Sequence, residues 1–262
     1  MHFIEDKKKA AQVLNSGGTR TRASLLSAGV QADRIVDVPD SGVSADFAKI
    51  EPVRHEGVNR RFVCVAHLIR WKGVDLAIRA LAQLPEGYEL TVLGEGPEMD
   101  NLKRLAASLG RADSVHFVGY QSQDEVIRTY RAARALLFPS FSEANGIAVQ
   151  EAMMIGLPVI AVNWGGPAIL LDGGCGVLVD PVNEEHVVAK VASAMTRLAA
   201  NAADATALAE QARQKALREY DWDVVTASWA RLYADALVPA PTPAAEPSPQ
   251  ATGPSCAADL AV

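Results

Sequence analysis

Residues 135–162 read ALLFPSFSEANGIAVQEAMMIGLPVIAV, and this stretch decides the fold. It begins with the short apolar segment Ala135–Phe138 and ends with Pro158–Val162, and both segments are typical of buried β-strands. Between them, Gly146 precedes a segment with the length and composition of a helix. A strand, a helix and a second strand in this order predict a βαβ unit of a parallel sheet.

The same alternation extends from this unit in both directions. Further strands are predicted at Arg61–Ala66, Glu89–Leu93, Ser114–Val118 and Gly176–Val179. Helices are predicted between them at Val74–Leu84 and Gln123–Ala133, and a further helix follows the turn Gly94–Pro97 and runs through Leu109. We therefore expect an α/β fold with one complete, doubly wound, Rossmann-like domain over residues 59–198.

The first residues carry too few elements for an independent sheet. The pattern predicts a helix at Thr19–Ala28 and a strand at Arg34–Val38. We expect residues 1–43 to be the remnant of an N-terminal domain whose larger part is absent. Residues 44–58 would then be a linker to the complete domain.

Helices and a tail are expected after the complete domain. Alanine-rich helical patterns run from Glu184 to Leu217 and from Asp223 to Leu237, so we expect C-terminal helices over residues 199–238. Residues 239–262 are rich in proline and alanine and cannot bury a core, which predicts a disordered tail.

The composition argues against several classes of protein and indicates a cellular location. The 262 residues carry a net charge of -6, which argues against broad electrostatic binding to nucleic acid. No window is apolar enough to predict a transmembrane segment. Cys64, Cys175 and Cys256 lie far apart, which predicts neither a disulfide framework nor a zinc site and fits a reducing compartment. We expect a cytoplasmic protein, either free or peripherally attached to a membrane.

Two glutamates flank the predicted start of a helix. Glu143 lies in the loop after the strand that ends at Phe138, and Glu151 lies on the helix that Gly146 opens. Ligands of open α/β sheets bind beyond the carboxyl ends of the strands, where the amides of this helix start favour an anion. The two carboxylates can accept hydrogen bonds from hydroxyls on either side of that anion. Hydroxyls that flank a phosphate group describe a nucleotide sugar.

The segment around Glu143 and Glu151 resembles the E-x7-E signature of glycosyltransferase family 4, whose fold is GT-B. Further segments resemble this family in the right order: Ala66–Asp75, Gly94–Pro97, Val115–Tyr120, Asn163–Pro167, Asp172–Gly176 and Tyr220–Trp222. The resemblance covers about residues 59–237. Residues 40–43 resemble the segment that closes the first GT-B domain.

The resemblance implies three catalytic residues, Glu143, Lys72 and His67. Glu143 would contact the hydroxyls of the donor sugar, and Lys72 would neutralise the diphosphate as it leaves. Glu151 would bind the ribose hydroxyls. The remaining donor-binding residues would be Asn145, Gly146, Ile147, Ala148, Gly119, Tyr120, Gln121 and Arg70, with residues 119–121 bordering the base.

One position departs from the family pattern. His67 stands where the family usually has a diphosphate-binding arginine. Imidazole is only partly protonated near neutral pH and lacks the guanidinium fork, so stabilisation of the leaving group would be weaker. Arg70 is a candidate to compensate.

The resemblance implies a retaining transferase in glycan, polysaccharide or glycolipid synthesis. It would move a sugar from a nucleoside-diphosphate donor to a carbohydrate or lipid-linked acceptor, without a metal ion or other cofactor. We expect a truncated or split enzyme, with a separate N-terminal half as its partner. Two alternatives stay open: a non-catalytic module that binds a nucleotide sugar, and a sugar-nucleotide epimerase of GT-B fold.

Overall fold

A computed structural model describes residues Leu14–Asn15 and 19–237. The predicted tail at 239–262 lies outside the described residues, as do residues 1–13 of the predicted N-terminal remnant.

The N-terminal segment forms a small parallel pair of strands. Strand β1 (Leu14–Asn15) pairs with β2 (Ile35–Val36), and helix α1 (Thr19–Ser27) lies between them in the chain. The strand expected at Arg34–Val38 is thus only two residues long. The predicted linker contains one helical turn, α2 (Ala45–Ala48).

The main sheet has six parallel strands in the order β5-β4-β3-β6-β7-β8. These strands are β3 (Arg61–Val65), β4 (Glu89–Leu93), β5 (Val115–Gly119), β6 (Ala135–Phe138), β7 (Val159–Val162) and β8 (Val177–Val179). The predicted strands are confirmed to within one or two residues. Every residue of β6 and β7 is buried, as expected for central strands with both faces covered.

Helices cover both faces of this sheet. They are α3 (Val74–Ala82), α4 (Met99–Ser108), α5 (Gln123–Ala132), α6 (Ile147–Met154), α7 (Gly165–Leu170), α8 (Glu184–Ala200), α9 (Ala202–Glu219) and α10 (Trp222–Leu237). One core cluster packs α3 against α8, and the other packs α6 against α9. The predicted doubly wound α/β fold is confirmed. Of the helices in the described ranges, none combines the length and apolar character needed to span a membrane.

Asn201 divides the long alanine-rich stretch into two helices. Its backbone is extended, and its side chain accepts a hydrogen bond from Asp204 N at 3.1 Å. This satisfies one of the free amides at the start of α9. Helix α8 therefore ends at Ala200, and α9 begins at Ala202.

The last helix packs on the N-terminal segment. Val43 N donates to Tyr220 O at 2.8 Å, and Trp222 N donates to Val43 O at 3.0 Å. Farther along α10, Trp229 Nε1 donates to Pro39 O at 2.9 Å. Residues 39–43 are therefore fixed to the start and the middle of α10.

A glycine turn lets two loops pass close to each other at the carboxyl end of the sheet. Gly94 follows β4 with a φ of +119°, and a side chain there would overlap the carbonyl oxygen of Ala66. The residue after Ala66 is His67, so this close approach positions a predicted site residue.

Gly94→Ala is expected to lower the free energy of unfolding by at least about 3 kcal/mol, because the new methyl group collides with backbone. Gly110→Ala is the matched control, since Gly110 also has a positive φ (+69°) but has open space around it. The control should cost about 1–2 kcal/mol, the strain of the left-handed backbone alone. Urea unfolding measures both values, and equal losses would contradict the proposed collision.

Candidate functional site

The crevice of the sheet lies where β3 and β6 end. These strands are neighbours, with Phe62 opposite Ala135. The chain leaves β3 toward α3 on one face and leaves β6 toward α6 on the other. Such a reversal opens a crevice at the carboxyl ends of the strands, and ligands of doubly wound folds bind there.

An ion pair joins the two loops that form this crevice. Lys72, in the loop after β3, donates from Nζ to Oε2 of Glu143 in the loop after β6. The side chains are only 19% and 17% exposed. The backbones also meet, because Phe141 N donates to Trp71 O at 2.9 Å. The structure therefore brings two predicted catalytic residues into direct contact.

Glu143 also lies at the start of α6. Its Oε1 accepts a hydrogen bond from Gly146 N at 3.4 Å, and Gly146 caps the helix with a φ of +66°. The amides of Ile147 and Ala148 lie in the first turn, where the helix supplies no carbonyl partner. The helix dipole adds partial positive charge at the same place. Lys72 and this helix start are thus two sources of positive charge, one at each oxygen of the same carboxylate.

A hollow of about 750 Å³ lies over the ends of β3, β4 and β5. Four predicted site residues line it: His67, Tyr120, Gln121 and Glu151. Gly119, the last residue of β5, directly precedes two of them. The Tyr120 side chain is largely free to contact a ligand, since the residue is 81% exposed.

Glu95 accepts hydrogen bonds from two other residues that line this hollow. Its carbonyl oxygen accepts from Nδ1 of His67 at 2.7 Å, and its Oε1 accepts from Tyr120 N at 3.3 Å. Because a carbonyl can only accept, the His67 proton resides on Nδ1 in the neutral ring. Nε2 is then an acceptor, and it becomes a donor only when the ring is protonated.

Glu151 is the other carboxylate of the hollow. Burial raises its pKa from 4.5 to about 7, and the nearby hydroxyl of Tyr130 acts in the opposite direction. Lys72 and Glu143 neutralise each other, whereas Glu151 has no cation beside it that offsets its desolvation. With a pKa of about 7, the Glu151 carboxyl is only partly ionised near neutral pH.

The other two predicted site residues lie elsewhere. Asn145 lines a hollow of about 390 Å³ between residues 37–41 and α10. Arg70 lines a third hollow of about 400 Å³, together with Asp75 and Glu98. Among the residues that the structure describes, no group of three His, Cys, Asp or Glu side chains could hold a metal ion.

Helix α6 is tied to the N-terminal segment on another side. Gln150 Nε2 donates to Ser41 Oγ at 2.9 Å, and both residues are buried. Gln150 directly precedes Glu151, so the residues around Ser41 help to set the position of the second carboxylate.

Sequence reasoning missed two residues of this site. Glu95 was not singled out within the segment Gly94–Pro97, although a carboxylate between Gly94 and Gly96 after a strand was a usable signal. Tyr130 gave no signal in the sequence, because a lone aromatic residue on a polar helix usually belongs to the core.

Comparison with known proteins identifies the family of this chain. The family model described as "Glycosyl transferases group 1" matches residues 47–215. The chain belongs to this family. The family assignment bears out the broader part of the resemblance seen in the sequence.

Two curated relatives show how much of a longer protein the chain resembles. The D-inositol 3-phosphate glycosyltransferase of Mycolicibacterium smegmatis is 35% identical over 188 residues, which are 68% of this chain and 41% of that protein. A GDP-mannose-dependent alpha-(1-6)-phosphatidylinositol monomannoside mannosyltransferase of Mycobacterium tuberculosis is 28% identical over 80% of this chain and 58% of its own length. The chain thus spans about half the length of the curated relatives that it matches.

The solved structures agree on the fold. Anabaena HepE, in complex with UDP and glucose, superposes with a TM-score of 0.71 at 20% identity. The match covers 89% of this chain and 68% of that one. At this identity the likeness shows the fold, which is that of the GT-B glycosyltransferases.

The raised pKa of Glu151 predicts a pH-dependent stability. Its folded pKa of about 7 exceeds its unfolded value of 4.5, so the folded state binds the proton more tightly. The free energy of unfolding should therefore fall as the pH rises from about 4.5 to 7, by up to about 3 kcal/mol from this group. Glu151→Gln should flatten this dependence in urea unfolding, whereas Glu86→Gln, at an exposed turn, should leave it unchanged. Equal slopes in both variants would contradict the burial effect.

Proposed function

We propose that residues 59–237 bind a nucleoside-diphosphate sugar and form the donor side of a retaining glycosyltransferase of family 4. The observation that carries this proposal is the contact of Glu143 with both Lys72 and the start of α6, in the crevice between β3 and β6. An ammonium group and helix amides suit a diphosphate, and a carboxylate beside them suits a sugar hydroxyl.

The nucleoside would occupy the 750 Å³ hollow. The exposed ring of Tyr120 and the backbone of residues 119–121 would border the base. Glu151, at the inner side of the same hollow, would accept hydrogen bonds from the ribose hydroxyls. Only the ionised carboxylate accepts from both hydroxyls without also donating, so binding should strengthen as Glu151 loses its proton.

The diphosphate would lie between Lys72 and the amides of Ile147 and Ala148. To bind it, Lys72 turns from Glu143 toward the phosphate oxygens, and this leaves Glu143 free to accept from a sugar hydroxyl. His67 Nε2 would add a donor only in the protonated ring.

In the transfer step, the bond between the anomeric carbon and the diphosphate oxygen breaks, and an acceptor hydroxyl forms the new bond to that carbon on the same face. The proton of this hydroxyl passes to the departing diphosphate oxygen. The departing diphosphate gains negative charge. Lys72 and the α6 dipole stabilise this charge more strongly than the charge of the bound donor, which is the condition for catalysis. We propose that these groups replace a divalent cation.

The acceptor would be a carbohydrate or lipid-linked hydroxyl, in glycan, polysaccharide or glycolipid synthesis. We propose that its recognition requires a further domain, because the curated relatives are about twice as long as the matched part. Cys64 and Cys175 are both free thiols and buried, which supports a reducing, cytoplasmic location.

The alternative is a module that binds the donor without transferring the sugar. The partial coverage of the relatives and the histidine at position 67 favour it. Calorimetry with UDP-, GDP- and ADP-sugars tests donor binding, and mass spectrometry of an acceptor panel, with and without EDTA, tests transfer. Binding without transfer or hydrolysis would support the module, and no binding of any nucleotide sugar would overturn both functions.

Lys72→Ala is expected to weaken binding of the nucleoside-diphosphate sugar by roughly 10- to 100-fold, the loss of a charge-assisted contact. Binding of the nucleoside without phosphates should change little. Lys190→Ala removes an exposed lysine of α8 and is the matched control. An equal loss for the nucleoside and its diphosphate would place Lys72 outside the diphosphate site.

His67→Arg is expected to raise donor affinity by roughly 3- to 10-fold, because the guanidinium group carries a permanent charge and a forked pair of donors for the diphosphate. His67→Gln keeps a polar side chain without a charge and should give no gain. Calorimetric titration compares the three proteins. No gain in the arginine variant would mean that the site does not lack that charge.

A further inference from the structure

Tyr130 carries a buried hydroxyl without a hydrogen bond. The residue lies on α5 and is 0% exposed, and its Oη is buried and has no partner of hydrogen-bonding geometry. Buried hydroxyls are rarely left in this state, because the loss of water is not compensated. The position therefore suggests a hydrogen bond that forms in another state of the protein.

Glu151 is the group that this hydroxyl approaches. The two side chains interact closely enough for the hydroxyl to lower the pKa of Glu151, although their geometry falls short of a hydrogen bond. The carboxylate lines the hollow proposed for the nucleoside, while Tyr130 is enclosed behind it. Hydrogen bonds of binding sites are often long in the empty protein and tighten when the ligand binds.

Of the ionisable groups described around Tyr130 and Glu151, Tyr130 is the one suited to donate a hydrogen bond to the Glu151 carboxylate. Cys64 approaches Tyr130 from β3, and burial raises the pKa of its thiol to about 12, so the thiol stays neutral. Three further ionisable residues line the same hollow: His67, Glu95 and Tyr120. The His67 ring and the Tyr120 backbone amide both donate to Glu95, and the Tyr120 side chain is exposed to solvent. Burial and the negative charge of Glu151 raise the pKa of Tyr130 well above 10, so its hydroxyl remains a donor.

We propose that Tyr130 is the positioning residue for Glu151, with its hydroxyl donating to one carboxylate oxygen when a nucleotide enters the hollow. The second oxygen is then directed toward the ribose hydroxyls. The same hydrogen bond stabilises the ionised carboxylate against its burial. This role rests on the proposed function, because it assigns Glu151 to the ribose.

Tyr130→Phe tests the proposal, since it removes one oxygen atom and keeps the packing of the ring. The pKa of Glu151 is measured from the carbon-13 shift of its carboxyl carbon, identified by its absence in Glu151→Gln. We expect the pKa to rise by roughly 0.5–1 unit in Tyr130→Phe. Tyr88→Phe, which alters a buried tyrosine stacked on Phe62, is the control and should cause no shift.

Nucleotide affinity is the second readout, with UDP and GDP as probes in calorimetry from pH 6 to 9. Tyr130→Phe should weaken binding roughly 3- to 10-fold at pH 7 and less at pH 9, where Glu151 is ionised in both proteins. In the Glu151→Gln background the same substitution should have no effect on binding, whereas a purely structural role would persist there.

The outcomes separate the two proposals. An unchanged Glu151 pKa, or wild-type affinity in Tyr130→Phe across the pH range, overturns the role of Tyr130 alone. If the wild-type protein binds neither UDP nor GDP nor any nucleotide sugar, the proposed function fails, and the assignment of Glu151 to a ribose fails with it.

Discussion

The contact between Lys72 and Glu143 connects the two halves of the doubly wound sheet. One residue follows β3 and the other follows β6, the neighbouring strands from which the chain departs to opposite faces. Without an internal partner, each charge would be costly to hold at an exposed fraction below one fifth. The pair therefore ties the loop after β3 to the loop after β6, and the backbone hydrogen bond from Phe141 to Trp71 joins the same two loops.

The two glutamates of the signature occupy different electrostatic environments although they are eight residues apart. Glu143 is neutralised by an ammonium group and a helix start, so its charge is compensated before any ligand arrives. Glu151 is buried beside a hydroxyl, and its pKa of about 7 places it at the midpoint of its titration near neutral pH. Glu143 can thus give up its contact with the Lys72 ammonium group and accept a hydrogen bond from a ligand hydroxyl instead. Glu151 can lose its proton and then accept such a hydrogen bond. Both carboxylates belong to the same short stretch of chain, because Glu143 lies just before helix α6 and Glu151 lies on it.

The sequence was sufficient for the main sheet but not for the finer placement of side chains. Continuous apolar runs such as Ala135–Phe138 are long enough to identify a buried strand, and the structure has that strand with the same bounds. The break at Asn201 was missed because alanine favours a helix on both sides, and only the cap shows where one ends. Arg70 lies apart from the crevice because the turn that contains Lys72 directs neighbouring residues to different hollows, which depends on local backbone angles rather than on residue type. Tyr130 was missed for a similar reason, since Glu151 is far from it in the sequence and is brought near it only by folding.

The short segment around Ser41 has a mechanical consequence for the carboxylate on α6. Pro39 and Val43 are bonded to α10, and Ser41 between them is bonded to Gln150, the neighbour of Glu151. Through these hydrogen bonds, residues 39–43 contact both α10 and α6. The residue next to Gln150 is Glu151, which lines the 750 Å³ hollow. The position of the second glutamate therefore depends on contacts made by the chain ahead of β3, and not on its own helix alone.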